Sequence, residues 1–296
     1  MAEFNIDKFV DLSKKVDLSD IDWDVVARVG ITDDEYRILR YMSDTEIHTI
    51  IYLRDLLAGY TAADPECTQF MACWVYEETH HGRALDRFME AAGRQPKSTS
   101  TRYNEVMTRF SWREEMTGAL SRMGATVWKD FAAAHMCWGA INELTAAASY
   151  MAVARKTKNP ELAKMVKKLA SDERKHYSFY FQQSEKRLKA GGKWAERLCR
   201  NTIRMFWEPV GIGVGEPHAL DLIASSLFGG EKGHAELVKV DQTIQALPGM
   251  GWFNMVGNWH SGAEAWFRTN CPHDWARHRE YDRELTAKGA QGTAAA

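Results

Sequence analysis

The chain predicts an all-α protein, a four-helix bundle with additional N- and C-terminal helices, and three observations carry that expectation. Apolar residues recur every three or four positions along four long stretches, while no stretch alternates for long enough to build a sheet. Capping residues and prolines open these stretches, and glycines close several of them. Two of the four carry a glutamate followed three residues later by a histidine, Glu78 with His81 and Glu173 with His176. That spacing puts both side chains on one face of a helix.

In chain order, residues 5–16 make a short amphipathic lead-in with Phe9, Val10 and Leu12 as its apolar members. Thr32 and Glu35 form a capping box that opens a helix running to about residue 60. Its apolar stripe is Leu39, Met42, Glu46, Ile50, Leu53 and Leu57. Asp64-Pro65 is a cap followed by proline at the first helical position, and Gly93 closes that helix. Its stripe reads Met71, Trp74, Glu78, His81, Leu85 and Phe88. The other register, Glu77 with His80, continues through Arg87 and makes a poorer core face.

A polar loop at 95–101 leads through a short helix at 103–110 into a long one at about 114–156, whose face is Ala132, Met136, Gly139, Glu143, Ala146, Tyr150 and Val153. Asn159-Pro160 starts the next helix, with Leu162, Val166, Leu169, Glu173, His176 and Tyr180 on one face, and Gly191-Gly192 ends it. There follow a basic helix to about residue 207, a Gly/Pro-rich turn region at 209–217, helical stretches near 218–228 and 230–246, an irregular Gly- and Trp-rich segment at 248–278, and a disordered tail at 286–296. The whole reads as one domain over 1–285, with the bundle core at about 33–190 and the extra helices at about 193–285.

A chain of 296 residues with 45% hydrophobic content can bury a sizeable core. The formal net charge of −2 gives it no polyelectrolyte character, so nucleic acid is not an expected partner. Residues 1–60 hold 7 Lys+Arg against 13 Asp+Glu, whereas 155–204 hold 15 against 5. The second segment, with Lys164, Lys167, Lys168, Lys186, Arg187 and Lys189, is either a solvated face or a docking surface for an acidic partner. The five cysteines form no C-x-x-C pair and are odd in number, which suits a reducing compartment. No apolar run approaches the roughly 18 residues of a membrane span, and the first residues show no export signal. A cytoplasmic location is expected.

Each of the four long helices thus carries a glutamate in the middle of an apolar stripe, at Glu46, Glu78, Glu143 and Glu173. Burying one ionised carboxylate without a partner costs several kcal/mol, so four acids and two histidines in one core require neutralising cations. Carboxylate oxygens mixed with imidazole nitrogens suit iron or manganese better than thiolate-seeking metals, and the absence of cysteine from this set of residues argues against a structural zinc site. Asp172 and Glu77 each precede a stripe glutamate, and are either partners for a histidine N–H or exposed helix charges. His48 and His80 point away from the stripe and read as surface or interhelix residues. His135 reads as a satisfied core histidine or a cavity-lining one. Gly139, Ala140, Ala146, Ala147 and Ala148 leave room for a slot beside Glu143 or allow close helix packing.

These residues resemble the soluble acyl-acyl-carrier-protein desaturases of the ferritin-like di-iron superfamily. The likeness lies in W-x-x-E-E-x-x-H-G, here Trp74, Glu77, Glu78, His81 and Gly82, in D-E-x-x-H, here Asp172, Glu173 and His176, and in the order of the carboxylates. It covers 33–190 well and extends loosely to about 250. The resemblance implies a ferritin-like bundle in which Glu46, Glu78, His81, Glu143, Glu173 and His176 are the catalytic metal ligands of two iron ions, with manganese an option in place of one or both. It implies that Asp172 lies beside a ligand on the electron route and that Trp74 is part of the cofactor site. Where the family has a threonine three positions after the third glutamate, this chain has Ala146, with Thr145 one place earlier. Trp23 is the candidate for the family's N-terminal electron-entry tryptophan.

The implied activity is O2-dependent introduction of a double bond into an acyl chain carried on acyl carrier protein or another acyl donor. A ferredoxin-type donor would supply electrons, and the protein would be a homodimer. Two other readings stand beside it. One is a di-iron oxygenase or oxidase acting on a different carrier-bound or free small molecule, and the other is a non-enzymatic ferritin-like iron-binding protein.

Overall fold

The computed structural model describes residues 3–57, 59–98, 100–102, 104, 130–212 and 218–294. Among these every regular element is a helix, and the architecture is an all-α bundle. The helices are α1 (Ile6–Leu12), α2 (Trp23–Val29), α3 (Asp33–Leu57), α4 (Pro65–Ala91), α5 (Phe131–Lys156), α6 (Pro160–Phe206), α7 (Ala219–Phe228), α8 (Gly230–Ile244), α9 (Met255–Asn270) and α10 (Pro272–Ala294), with a 3₁₀ turn at Tyr60–Ala63. Apart from residue 104, the helix expected at 103–110 lies outside the described residues. So do the part of the expected 114–156 helix before residue 130 and the end of the turn region at 213–217.

The start signals act as their chemistry dictates. The Glu35 carboxylate accepts the Thr32 N–H at 2.7 Å while Thr32 Oγ1 accepts the Glu35 N–H at 3.1 Å. Asp64 and Asn159 cap α4 and α6 with proline in the first turn. Two antiparallel pairs, α3 with α4 and α5 with α6, form the bundle. Its core includes Leu39, Phe70, Leu85, Phe88, Leu162 and Leu169, all fully buried. α1 packs on α4, α2 lies across α4 and α6, and α7 to α9 form an outer layer whose α7 rests on α3 and α5.

Glycine sets the closeness of α3 and α4. A Cβ on Gly82 would lie 2.7 Å from Ile47 Cγ1, so the glycine after His81 lets α3 approach and carries Glu46 toward the centre.

The break expected at Gly191-Gly192 is present: Gly192 (φ 58°, ψ −148°) leaves the helical conformation, and the basic helix follows it to Phe206, so α6 is two helical stretches joined at a kink. Other expectations are corrected. The segment at 248–278 is largely helical. Buried Asp241 accepts the N–H groups of Val256 and Gly257 at 3.0 and 2.9 Å and so opens α9, a long-range cap that no local pattern reveals. α10 extends through residue 294, into the expected tail. α2 was not anticipated, although Asp22 caps it and Gly30 (φ 67°) ends it.

The charge asymmetry largely closes on itself. Lys168 pairs with Asp20, and Lys164 donates to the Asp20 carbonyl and lies 3.2 Å from Glu161. Arg187 and Lys186 reach Asp64 and Glu66, and Lys189 pairs with Glu185. Lys167 is exposed. The acidic N-terminal third therefore neutralises much of the basic helix inside the same chain.

Candidate metal centre

Six side chains meet near the middle of the bundle. α3 supplies Glu46, α4 supplies Glu78 and His81, α5 supplies Glu143, and α6 supplies Glu173 and His176, and all six are buried. They fall into two overlapping groups: Glu46, Glu78, His81 and Glu173, and then Glu78, Glu143, Glu173 and His176. Within each group one ligand-capable atom per residue lies within 4.8 Å of the others. That span matches the width of a coordination sphere with bonds of about 2.0–2.4 Å. Glu78 and Glu173 belong to both groups, so each would be available to both sites if both held an ion.

The imidazoles face inward. His81 Nδ1 lies 3.1 Å from Glu173 Oε1 and 3.6 Å from Glu78 Oε2. His176 Nδ1 lies 3.0 Å from Glu78 Oε1 and 3.5 Å from both Glu143 and Glu173. Both Nδ1 atoms, with Glu78 Oε1 and Glu173 Oε1, are buried without an aligned hydrogen bond. Each outer nitrogen is held instead by a carboxylate of the other pair's helix. His176 Nε2 is 2.7 Å from Glu77 Oε2, and His81 Nε2 is 3.4 Å from Asp172 Oδ2. An Nε2–H bonded to a carboxylate leaves the Nδ1 lone pair free to bind a cation, so the donor set fits metal ions.

The electrostatics divide the four carboxylates into two kinds. Burial, with Glu78 next, pushes the Glu46 carboxyl well above the usual range, and burial with Glu173 does the same to Glu143. For Glu78 and Glu173 burial opposes ionisation but hydrogen bonds from the histidines and the other two glutamates outweigh it, and both are held low. Burial likewise disfavours charge on His81 and His176, and the surrounding carboxylates overcome it to raise both. Asp172 falls to about 2 because the bonds from His81 and Lys175 outweigh its burial.

Two further groups touch the cluster. Trp74 Nε1 donates to Glu143 Oε1 at 3.0 Å, and the Tyr150 hydroxyl, buried one turn below Ala146, donates to Glu46 Oε1. Tyr150 stood in the stripe as a core residue, and only the fold shows that its hydroxyl meets a carboxylate 104 positions away. Glu77 is buried and bonds Ser13 Oγ at 2.9 Å as well as His176, so it is not an exposed helix charge. Thr145 Oγ1 donates to Ile141 O on its own helix at 2.7 Å. Trp23 packs on α4 against Phe88 under the Arg87 guanidinium, two turns along from His81.

His48 is buried rather than on the surface, with Nδ1 2.5 Å from Asp44 O. It lies in a polar network between α3 and α4 built on Arg102, which is 1% exposed and reaches Ser43, Asp44 and Asp86. His80 is partly exposed and stacks edgewise on Tyr76.

A cavity of about 250 Å³ opens directly onto the cluster, with Glu46, Glu78, Glu143 and Glu173 in its wall. A second, apolar cavity of about 60 Å³ adjoins it and shares Thr45, Glu46, Asn142, Ala146 and Val210. Of the five small residues expected to leave a slot, Gly139 and Ala146 line the larger cavity. Ala140 and Ala147 are packed in the core, and the Gly139 position is filled by Tyr180, whose ring a Cβ would meet at 2.4 Å. His135 lines the larger cavity with Nδ1 3.2 Å from Thr61 Oγ1, and burial lowers its pKa to about 4, so the ring is neutral.

No described helix is long and apolar enough to cross a membrane. No curated protein matches the chain. A family model described as fatty acid desaturase matches residues 55–205, just over half of the sequence. The match spans α4 to α6 and five of the six clustered residues, whereas Glu46 precedes it and joins the cluster through the packing of α3 on α4. With the matched helices building a buried glutamate and histidine cluster that could hold metal, the chain belongs to the fatty acid desaturase family.

Proposed function

We propose that this protein is a di-iron, O2-dependent oxidoreductase that introduces a double bond into an acyl chain delivered on acyl carrier protein. The observation that carries the reading is the cavity of about 250 Å³ with four of the cluster's carboxylates in its wall. An enzyme that acts on unactivated carbons must hold them beside its oxidant in a site closed to bulk water. Glu46, Glu78, His81, Glu143, Glu173 and His176 would hold the two irons, with manganese the other candidate for the same donors. Two bound irons would supply the oxygen activation that such chemistry needs.

The chain's own residues do the rest. Glu77 and Asp172 orient the two imidazoles, and Trp74 and Tyr150 fix the two carboxylates that belong to only one group each. Trp74 and Tyr180 give the cavity part of an aromatic wall, against which an acyl chain can pack. Electrons would come from a ferredoxin-type donor, and a cytoplasmic homodimer is the expected form. The family assignment supports an oxidoreductase over an iron store.

Oxygen insertion into another small molecule is the second reading, favoured by Ala146 standing where the family's threonine is expected and lining the cavity. Iron-loaded protein given acyl carrier substrates, a ferredoxin reducing system and O2 should consume O2 in a substrate-dependent way and yield a product lighter by two hydrogens. A product heavier by one oxygen would establish the second reading, and no substrate-dependent O2 consumption would refute both.

A further inference from the structure

The face that α5 turns to the cavities is not uniformly apolar. His135, Gly139, Asn142, Ala146 and Ser149 follow one another at helical spacing along it. Asn142 stands where the two cavities adjoin and belongs to the wall of both. Its neighbours have their hydroxyl protons committed: Thr45 donates to Tyr41 O at 3.0 Å, Thr145 to Ile141 O at 2.7 Å and Ser149 to Thr145 O at 2.9 Å. Asn142 makes no hydrogen bond to any described residue, and its Oδ1 is fully buried. The next residue, Glu143, enters the cluster, so any chain laid from the larger cavity into the smaller passes this amide close to it.

We infer that Asn142 is a specificity-determining residue, and that the substrate is an acyl chain bearing a hydroxyl or another hydrogen-bonding substituent that its amide pairs with beside the cluster. The inference deepens the proposed reading and rests on it for the acyl nature of the ligand. The half-buried Asn142 amide has a buried, unpaired oxygen and an NH2 with no partner among the described residues, and a plain methylene chain laid over it would seal it away from water unpaired. A polar substituent satisfies it. The rest of the path is suited to carbon: Phe228, Leu237 and Val256 of the outer layer close the smaller cavity. A chain therefore places its tail on these residues and its substituent at Asn142.

The same hydrogen-bonding chemistry could come from the amides of a carrier's pantetheine arm, and the test separates the two. Metal-loaded full-length protein, without reductant, is titrated by calorimetry with octanoyl pantetheine thioester, with a series carrying one hydroxyl at successive carbons, and with pantetheine alone. At least one hydroxylated probe should bind about tenfold or more tighter than plain octanoyl. Asn142→Leu should abolish that preference while leaving the plain chain bound equally well or better, and Asn142→Ala serves as a second variant should the leucine not be accommodated.

Equal or tighter binding of the plain chain by the wild type would overturn the inference. So would a preference that survives in both variants, or a loss in the variants that is the same for plain and hydroxylated probes, which would assign the amide to the pantetheine arm. Because no turnover is needed, failure of the oxidation chemistry would appear as binding without product, whereas failure here would appear as product without a polar preference.

Discussion

The two halves of the cluster are built from the same parts and are not equivalent. His176 is fully buried and lies 2.7 Å from Glu77, itself buried and bonded to Ser13 of the segment after α1. Phe9 and Phe70 both stand edge-on to the His176 ring at 6.1 Å. His81 is held by Asp172 at 3.4 Å, and Asp172 is 18% exposed and paired with Lys175 at 2.6 Å on the surface. The outer side of the His176 ring is thus covered by an aromatic layer and the N-terminal segment, whereas the carboxylate behind His81 reaches the surface. A near-symmetric set of side chains therefore sits in a directional environment, with the Asp172 side partly exposed and the Glu77 side enclosed.

Breaking the shared residues should have the largest effect. Glu78→Ala or Glu173→Ala removes a carboxylate common to both groups, and metal analysis should find almost no metal in either. Glu46→Ala and Glu143→Ala each strip only one group, and each should retain about one ion per chain. Equal losses in all four would show that the groups are not distinct sites.

The outer partners sharpen the asymmetry. Glu77→Gln should weaken metal affinity by about 10–100-fold, the usual cost of losing a carboxylate behind a ligand histidine. Asp172→Asn should weaken it less and should instead slow reduction of the loaded protein by an external donor. Competition with a chelator and stopped-flow reduction measure the two effects, and the reverse order would overturn the asymmetry.

A smaller effect is expected from the groups that steady the unshared carboxylates. Trp74→Phe leaves Glu143 Oε1 without its donor in a buried site, costing about 1–3 kcal/mol in chemical denaturation. Tyr150→Phe tests the same arrangement at Glu46.

The smallest effect lies far from the cluster. Asp34 at the start of α3 is held at about 2 by His278, which lies 3.1 Å away, and by Arg277 of α10 at 2.7 Å. A carboxylate lowered below its usual 3.8 stabilises the fold fully above that value and loses its contribution as pH falls through about 2. Asp34 is partly exposed and its partner Arg277 is largely solvated, so Asp34→Asn should cost less than about 1 kcal/mol near neutrality and flatten the acid limb between those values. Thermal denaturation against pH reads it.

The six clustered residues were legible because each interrupts an apolar stripe, and a stripe reports one face of one helix. The same logic chose Glu78 and His81 over Glu77 and His80, and the fold places the first pair in the cluster. What the stripe could not report was contact between distant elements. Glu77 is one position off the stripe, yet it is buried because α1 and α6 close over it. Arg102 stood at the edge of a polar loop and became one of the most buried side chains because Asp44 and Asp86 converge on it from two helices. His48 took the interhelix rather than the surface position for the same reason, and Asn142 resembled any polar residue until two cavities met at it. α9 was missed because its cap comes from Asp241, across a turn that the local sequence does not describe.

The central claim is that two ions share Glu78 and Glu173. The most direct measurement combines iron content per chain with X-ray absorption of the iron-loaded protein. The account predicts two irons per chain with metal–metal scattering at about 3.5–4 Å. Fewer than one iron per chain, or two irons with no scattering between them, would contradict it.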